Sequence, residues 1–173
     1  MTSRQGPTME LIRAALDPAT KTARLRTESP VCRVVIRAAE ADLAAGSAEQ
    51  VNMLAIGSGV AAAGLTAWLA QERNLDAADI IAEFERVSAA QGEHRAPLVE
   101  MLKSLLTGPP GMEQTARLMV GLFHDDEESF YDLIVDLGGY IADCIGLLAA
   151  LDVSSRDDTL EDLNDMLASF FND

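Results

Sequence analysis

The residues in this 173-residue chain with the most chemistry to offer are carboxylates at helical spacing. Glu128, Asp132 and Asp136 follow one another at four-residue steps, and Asp143 comes seven later. Such spacing sets all four near one face of a helix. Glu161 and Asp165 repeat the one-turn step farther on. Carboxylates on neighbouring helices can hold Mg²⁺, a hard cation that takes oxygen ligands and bridges to phosphate. Glu128, Asp132 and Asp136 are therefore the candidate metal ligands. The competing reading, which we prefer, is a solvated helix face that holds no ion and needs no cofactor.

The stretch from Asp132 to Asp136, with the apolar run, the turn at Leu151 and the helix that follow, carries a resemblance. It resembles the second half of the metal-binding pattern of the all-helical nucleotide pyrophosphohydrolases related to MazG. That family holds Mg²⁺ with ExxE on one helix and ExxD on a later one. The resemblance implies an all-α, Mg²⁺-dependent nucleotide hydrolase using Glu128, Asp132, Asp136 and one of Glu161 or Asp165. The pattern departs from the family's in three ways. The spacing is four rather than three, Asp132 stands where Glu is expected, and no ExxE lies upstream.

Other chemical signatures are weaker. His124 and the four acidic residues that follow it, Asp125 to Glu128, suit a helix N-terminus, where an Asp caps and carboxylates meet the positive end of the dipole. His94 stands alone in a polar linker. Cys32 and Cys144 lie far apart in apolar periodic stretches, and we read each as a buried free thiol. The chain contains no phosphate-binding Gly-rich loop, HExxH or GxSxG.

Charge is distributed unevenly. The net formal charge is −15, yet residues 1–37 hold seven basic and three acidic side chains. Residues 113–173 hold two basic residues, Arg117 and Arg156, against fifteen acidic ones. Such a balance repels the phosphate backbone, so direct nucleic-acid binding is not expected. It attracts basic surfaces. The leading functional expectation is thus a non-enzymatic protein-interaction module, an adaptor, inhibitor or regulator, that engages a basic partner. A nucleic-acid mimic that occupies a DNA-binding protein's groove is a further alternative. The basic residues Lys21, Arg24 and Arg26 are expected to anchor a tail or to meet the acidic half of a second molecule, and a homodimer is compatible with long Ala- and Gly-faced helices. The first ten residues lack the apolar core of a secretory signal, so the expected compartment is the cytoplasm.

These residues must be positioned by helices. Ala and Leu dominate, aromatics make up 5%, and alternating β-branched runs are absent. Start and stop signals mark about eight helical segments in an all-α bundle. The first covers 7–16. After a basic linker, 21–27, the second covers 30–45, between Ser29 and Gly46. A long segment follows from the cap Ser47 to about 73, and another begins at Asp76 with the apolar stripe Ile80, Ile81, Phe84 and Val87. The rest are 97–107, 112–123, about 126–151, and one from about Asp158. Residues 1–173 read as a single all-helical domain.

Residues 7–16 align with 97–106, and Gly57 and Gly64 with Gly139 and Gly146. This suggests two tandem four-helix units, 7–94 and 97–173, with the long helices crossing at their paired glycines around a pseudo-twofold axis. Residues 51–70 contain no charge and have the length of a membrane span. Their counterpart carries Asp136 and Asp143, which are costly in a bilayer, so a buried central helix rather than a membrane segment is expected.

Overall fold

The computed structural model describes residues 3–90, 96–106, 117, 121 and 125–172. The described residues form eight α-helices and no strand: α1 (Gly6–Leu16), α2 (Pro18–Thr22), α3 (Pro30–Ala45), α4 (Glu49–Glu72), α5 (Ala77–Ala90), α6 (Ala96–Leu105), α7 (Glu127–Ala150) and α8 (Arg156–Asn172). A 3₁₀ turn, Arg26–Glu28, leads into α3.

Local chemistry accounts for most boundaries. Pro30 sits in the first turn of α3, and the Ser29 hydroxyl accepts from Cys32 N at 3.3 Å. Gly46, with φ of 63°, closes α3 in the left-handed conformation that glycine tolerates best. Two side chains cap α4. Ser47 Oγ accepts from Glu49 N at 2.9 Å, while Asp42, reaching from α3, accepts from Gln50 N at 2.9 Å and Val51 N at 3.0 Å. Asp126 caps α7 through Ser129 N at 3.1 Å. The two long helices end alike, in a left-handed Asn74 or Asp152. The next residue's N–H then returns to the helix, Leu75 to Ala70 O at 2.8 Å and Val153 to Leu148 O at 3.0 Å.

Two boundaries differ from the sequence expectation. The stretch 21–27, read as a linker, is partly taken up by two short elements, the end of α2 and the 3₁₀ turn. Asp17-Pro18 both ends α1 and starts α2, with Asp17 accepting from Ala19 N at 2.9 Å. The last helix begins at Arg156 because Ser155, not Asp158, caps it, accepting from Asp158 N at 3.1 Å. The segment expected at 112–123 lies almost wholly outside the described residues.

α4 and α7 form the centre of the bundle, each 24 residues long. They run in the same direction. Val51, Leu54 and Ala55 near the start of α4 share a cluster with Phe130 and Ile134 near the start of α7. Leu65 and Leu69 share a second cluster with Tyr140, Cys144 and Leu148. Glu49, Glu127 and Glu128 sit in the first turns of the two helices, where negative charge meets the positive dipole ends. α1 lies against both long helices and α3, and α6 also touches both. By length and mean hydropathy, 1.6 and 1.7, α4 and α7 could each cross a membrane. Here 61% and 50% of those apolar windows are buried against other parts of the protein.

The glycine contacts correct the expected crossing. A Cβ on Gly57 would meet Thr8 of α1, and one on Gly64 would stand 2.9 Å from Met166 Sδ of α8. On α7 the close contact is at Gly138, 3.1 Å from Val31 Cγ2 of α3, whereas Gly139 and Gly146 have nothing within 4 Å. Neighbouring helix positions differ by about 100° in direction, so Gly138 and Gly139 serve different faces. The glycines admit flanking helices and are not where α4 and α7 cross.

Candidate functional site

The carboxylate stripe on α7 meets a cation from its own chain. Arg26, in the 3₁₀ turn, places Nη2 3.4 Å from Asp132 Oδ1 and 3.2 Å from Asp136 Oδ1. Partial burial opposes the charged guanidinium, but Asp136 and then Asp132 outweigh it, and the Arg26 pKa stands above its ordinary value. Glu128 is exposed one turn earlier, and Asp143 lies seven residues beyond Asp136 at the rim of a cleft. Among the described residues no group of three or more His, Cys, Asp or Glu side chains converges as a metal site would require. Two carboxylates sharing a guanidinium are a poor fit to Mg²⁺. One of the basic residues expected to anchor a tail or a second molecule, Arg26, is thus engaged within the chain.

Asp126 acts as the helix cap that its position suggests. The Ser129 hydroxyl, and after it the Ser129 N–H, hold its carboxyl below the ordinary range. His94 and His124 lie outside the described residues. Both cysteines are buried and free. Burial pushes the Cys144 thiol up to about 12, so at neutral pH it is a protonated, unreactive part of the interior.

Two surfaces remain as candidates. The first is the outer face of α8, where Asp157, Asp158, Glu161, Asp162 and Asp165 are all exposed. None of them forms an ion pair among the described residues. Other arginines are engaged with different groups. Arg37 pairs with Glu10 at 2.6 Å, Arg73 with Glu83 at 2.9 Å, and Arg156 donates to Leu16 O at 3.2 Å.

The second is a cleft of about 740 Å³ between α5 and α7, closed at its base by the end of α4. Its floor is Leu69, Ile80, Phe84, Tyr140 and Cys144. The Tyr140 hydroxyl lies 2.5 Å from Thr66 Oγ1, and its ring meets Phe84 edge-on with centroids 4.8 Å apart. Burial raises the Tyr140 pKa, so the phenol stays neutral. Lys21, Asp143 and the Arg73–Glu83 pair lie on the rim, flanked by Val87 and Leu147, which are 51% and 43% exposed. Sequence reasoning missed this cleft. It placed Val87 in an apolar stripe, and the one available signal was that the stripe is longer than its core contact requires.

No protein-family model, curated protein or solved structure matches the chain. Function must therefore be argued from these surfaces.

Proposed function

We propose that this protein is a non-enzymatic binding module whose acidic outer face engages a basic protein partner in the cytoplasm. The observation that carries the reading is the run of exposed carboxylates on α8, none of which forms an ion pair among the described residues, in a chain of net charge −15. Charge left uncompensated on a folded surface accelerates encounter with an oppositely charged partner and orients it. The free, buried thiols agree with a reducing compartment. The test is affinity capture from the source cell with the wild-type chain and a variant carrying Asp158→Asn, Glu161→Gln, Asp162→Asn and Asp165→Asn. A basic protein should be retained at low salt, released at high salt and missed by the variant. Retention of nothing at low salt, or equal retention by the variant, would overturn the reading. A partner that binds DNA and is displaced by duplex DNA would make the surface a nucleic-acid mimic.

We further propose that the chain comprises two tandem four-helix units. The burial pattern supports this, at the displacement that the sequence suggested for α1 and α6 and at a different one for the long helices. Thr8, Met9, Leu11 and Ile12 of α1 correspond to Leu98, Val99, Met101 and Leu102 of α6, a displacement of 98 − 8, or 90. Every buried position of α7 falls on a buried position of α4 at a displacement of 130 − 51, or 79. Ile80 and Ser88 of α5 meet Thr159 and Leu167 of α8 at the same displacement. In an experimental structure, α1, α4 and α5 should superpose on α6, α7 and α8. Unrelated crossing angles in the two halves would end the proposal.

A further inference from the structure

The carboxylates on the outer face of α8 form no ion pair among the described residues, and the same molecule displays the opposite charge beside them. We propose that α8 docks on the basic edge of a second copy of this chain, and that the contact is reciprocal, giving a twofold dimer. The inference rests on the acidic surface of the reading above, but not on any partner from the cell.

The basic edge is built from three neighbouring elements. Residues 11–33 hold five basic side chains against two acidic ones. α2 folds back on the end of α1, with Thr20 Oγ1 donating to Ala14 O at 2.6 Å, and it also packs against α3. Arg13 in the last turn of α1, Arg24 just after α2 and Arg33 in α3 thus lie on adjoining elements. All three are exposed and form no ion pair among the described residues. The other two basic residues face α7. Arg26 is held by Asp132 and Asp136, and Lys21 shares a cleft rim with Asp143. Of the two acidic residues, Asp17 is engaged in capping α2, where it accepts from Ala19 N at 2.9 Å.

Two hydrogen bonds set this edge next to α8. Arg156, at the start of α8, donates to Leu16 O at the end of α1 at 3.2 Å. Arg4, just before α1, donates to Phe171 O near the end of α8 at 3.4 Å. α1 and α8 therefore lie side by side in opposite directions, with basic and acidic surface adjoining. Neighbouring strips of opposite charge are self-complementary under a twofold rotation, because an axis between them lays the acid of each copy on the base of the other. Each strip also offers an apolar side chain to the contact. Leu25, between Arg24 and Arg26, is 57% exposed, and Phe170 of α8 is 40% exposed. The net charge of −15 opposes association at long range. Screening confines that repulsion to about 8 Å at physiological salt, so the charges in contact decide.

The experiment measures the mass of the purified full chain by sedimentation equilibrium at about 0.15 M and about 1 M salt. A reversible dimer should form at the lower salt and dissociate at the higher. Two variants separate the strips. One carries Asp158→Asn, Glu161→Gln, Asp162→Asn and Asp165→Asn, and the other Arg13→Gln, Arg24→Gln and Arg33→Gln. Each alone should be monomeric at concentrations where the wild type is dimeric. The first also lowers the net negative charge, so long-range repulsion would not explain its weaker association. Mixed, the two regain one of the reciprocal contacts and should associate more tightly than either alone. Arg24→Gln by itself should weaken the dimer about threefold to thirtyfold, one exposed ion pair lost twice. All these positions are exposed, and unchanged circular dichroism checks that each variant folds. A monomeric wild type at the lower salt, a dimer that survives the higher, or a mixture no more associated than its components overturns the proposal. Capture of a basic partner is read separately. A monomer that still captures one refutes this inference alone, and a dimer that captures nothing refutes only the earlier reading.

Discussion

Replacing Gly57 with Ala tests how α1 is seated on α4. A Cβ there would stand 3.0 Å from Thr8 Cβ and 3.1 Å from Thr8 Cγ2, and closer still to the Thr8 hydroxyl. Thr8 is 1% exposed and its hydroxyl has no hydrogen-bond partner among the described residues. Because a β-branched side chain has few alternative rotamers, relief requires a shift of α1 itself. In an unobstructed helix, Gly→Ala gains about 1 kcal/mol. Overpacking a tight contact costs about 1–3 kcal/mol. At Gly57 the contact is with a stiff side chain, so the net expectation is a loss of about 1–2 kcal/mol. Gly146→Ala meets nothing within 4 Å and should instead gain up to about 1 kcal/mol. The same chemical change thus has opposite signs at two positions. Thr8→Ala should rescue Gly57→Ala, with a coupling of about 1–2 kcal/mol between them. Urea unfolding followed by circular dichroism reads all four variants, and unchanged m-values would show that the denatured state is not responsible. If Gly57→Ala matches or exceeds the wild type, or shows no coupling to Thr8→Ala, the packing argument is wrong.

Three more outcomes follow from particular contacts. Asp42→Ala removes the acceptor of two N–H groups at the start of α4 and should cost about 2–3 kcal/mol in the same unfolding assay. Arg26→Gln should cost no more than about 1 kcal/mol at low salt, and the difference should vanish at high salt, because its partners Asp132 and Asp136 are not deeply buried. The Cys144 pKa is raised from 9.0 to about 12, so the unfolded chain loses this proton first as pH rises. Stability from this group is intact below pH 9.0 and is lost progressively towards pH 12. Cys144→Ala should flatten that decline in unfolding curves measured across the alkaline range.

Much of the bundle was legible because its boundaries rest on local chemistry. Ser29-Pro30, Gly46, Ser47 and Asp126 act within a few residues of themselves, and each does what its type predicts. α2 was missed because Asp17-Pro18 both closes α1 and opens a new helix, and one dipeptide rarely does both. The glycine register failed for a different reason. Identity pairs Gly57 with Gly139, but burial is decided by which face another helix covers, and Gly138 carries that contact on α7. The acidic stripe was visible as a stripe, while its counter-ion was not. Arg26 lies 110 positions from Asp136, and no local pattern links a turn to a helix face over that distance. The cleft is harder still, since it arises from how α5 and α7 are spaced, a quantity set by all the helices that hold them apart.

The parallel course of α4 and α7 has a consequence for how the protein is made. Thr66 and Tyr140, hydrogen-bonded at the heart of the bundle, are separated by 74 positions. Contacts so distant along the chain form slowly, because a large loop must close before they contribute. At a synthesis rate of about 5–20 residues per second, α4 emerges on the order of 4–15 seconds before the part of α7 that covers it. For that interval an uncharged stretch of twenty residues, from Val51 to Ala70, stands without its main partner. Exposure to aggregation thus falls during the protein's own translation, and a chaperone that holds α4 over those seconds is expected to raise the yield of folded chain.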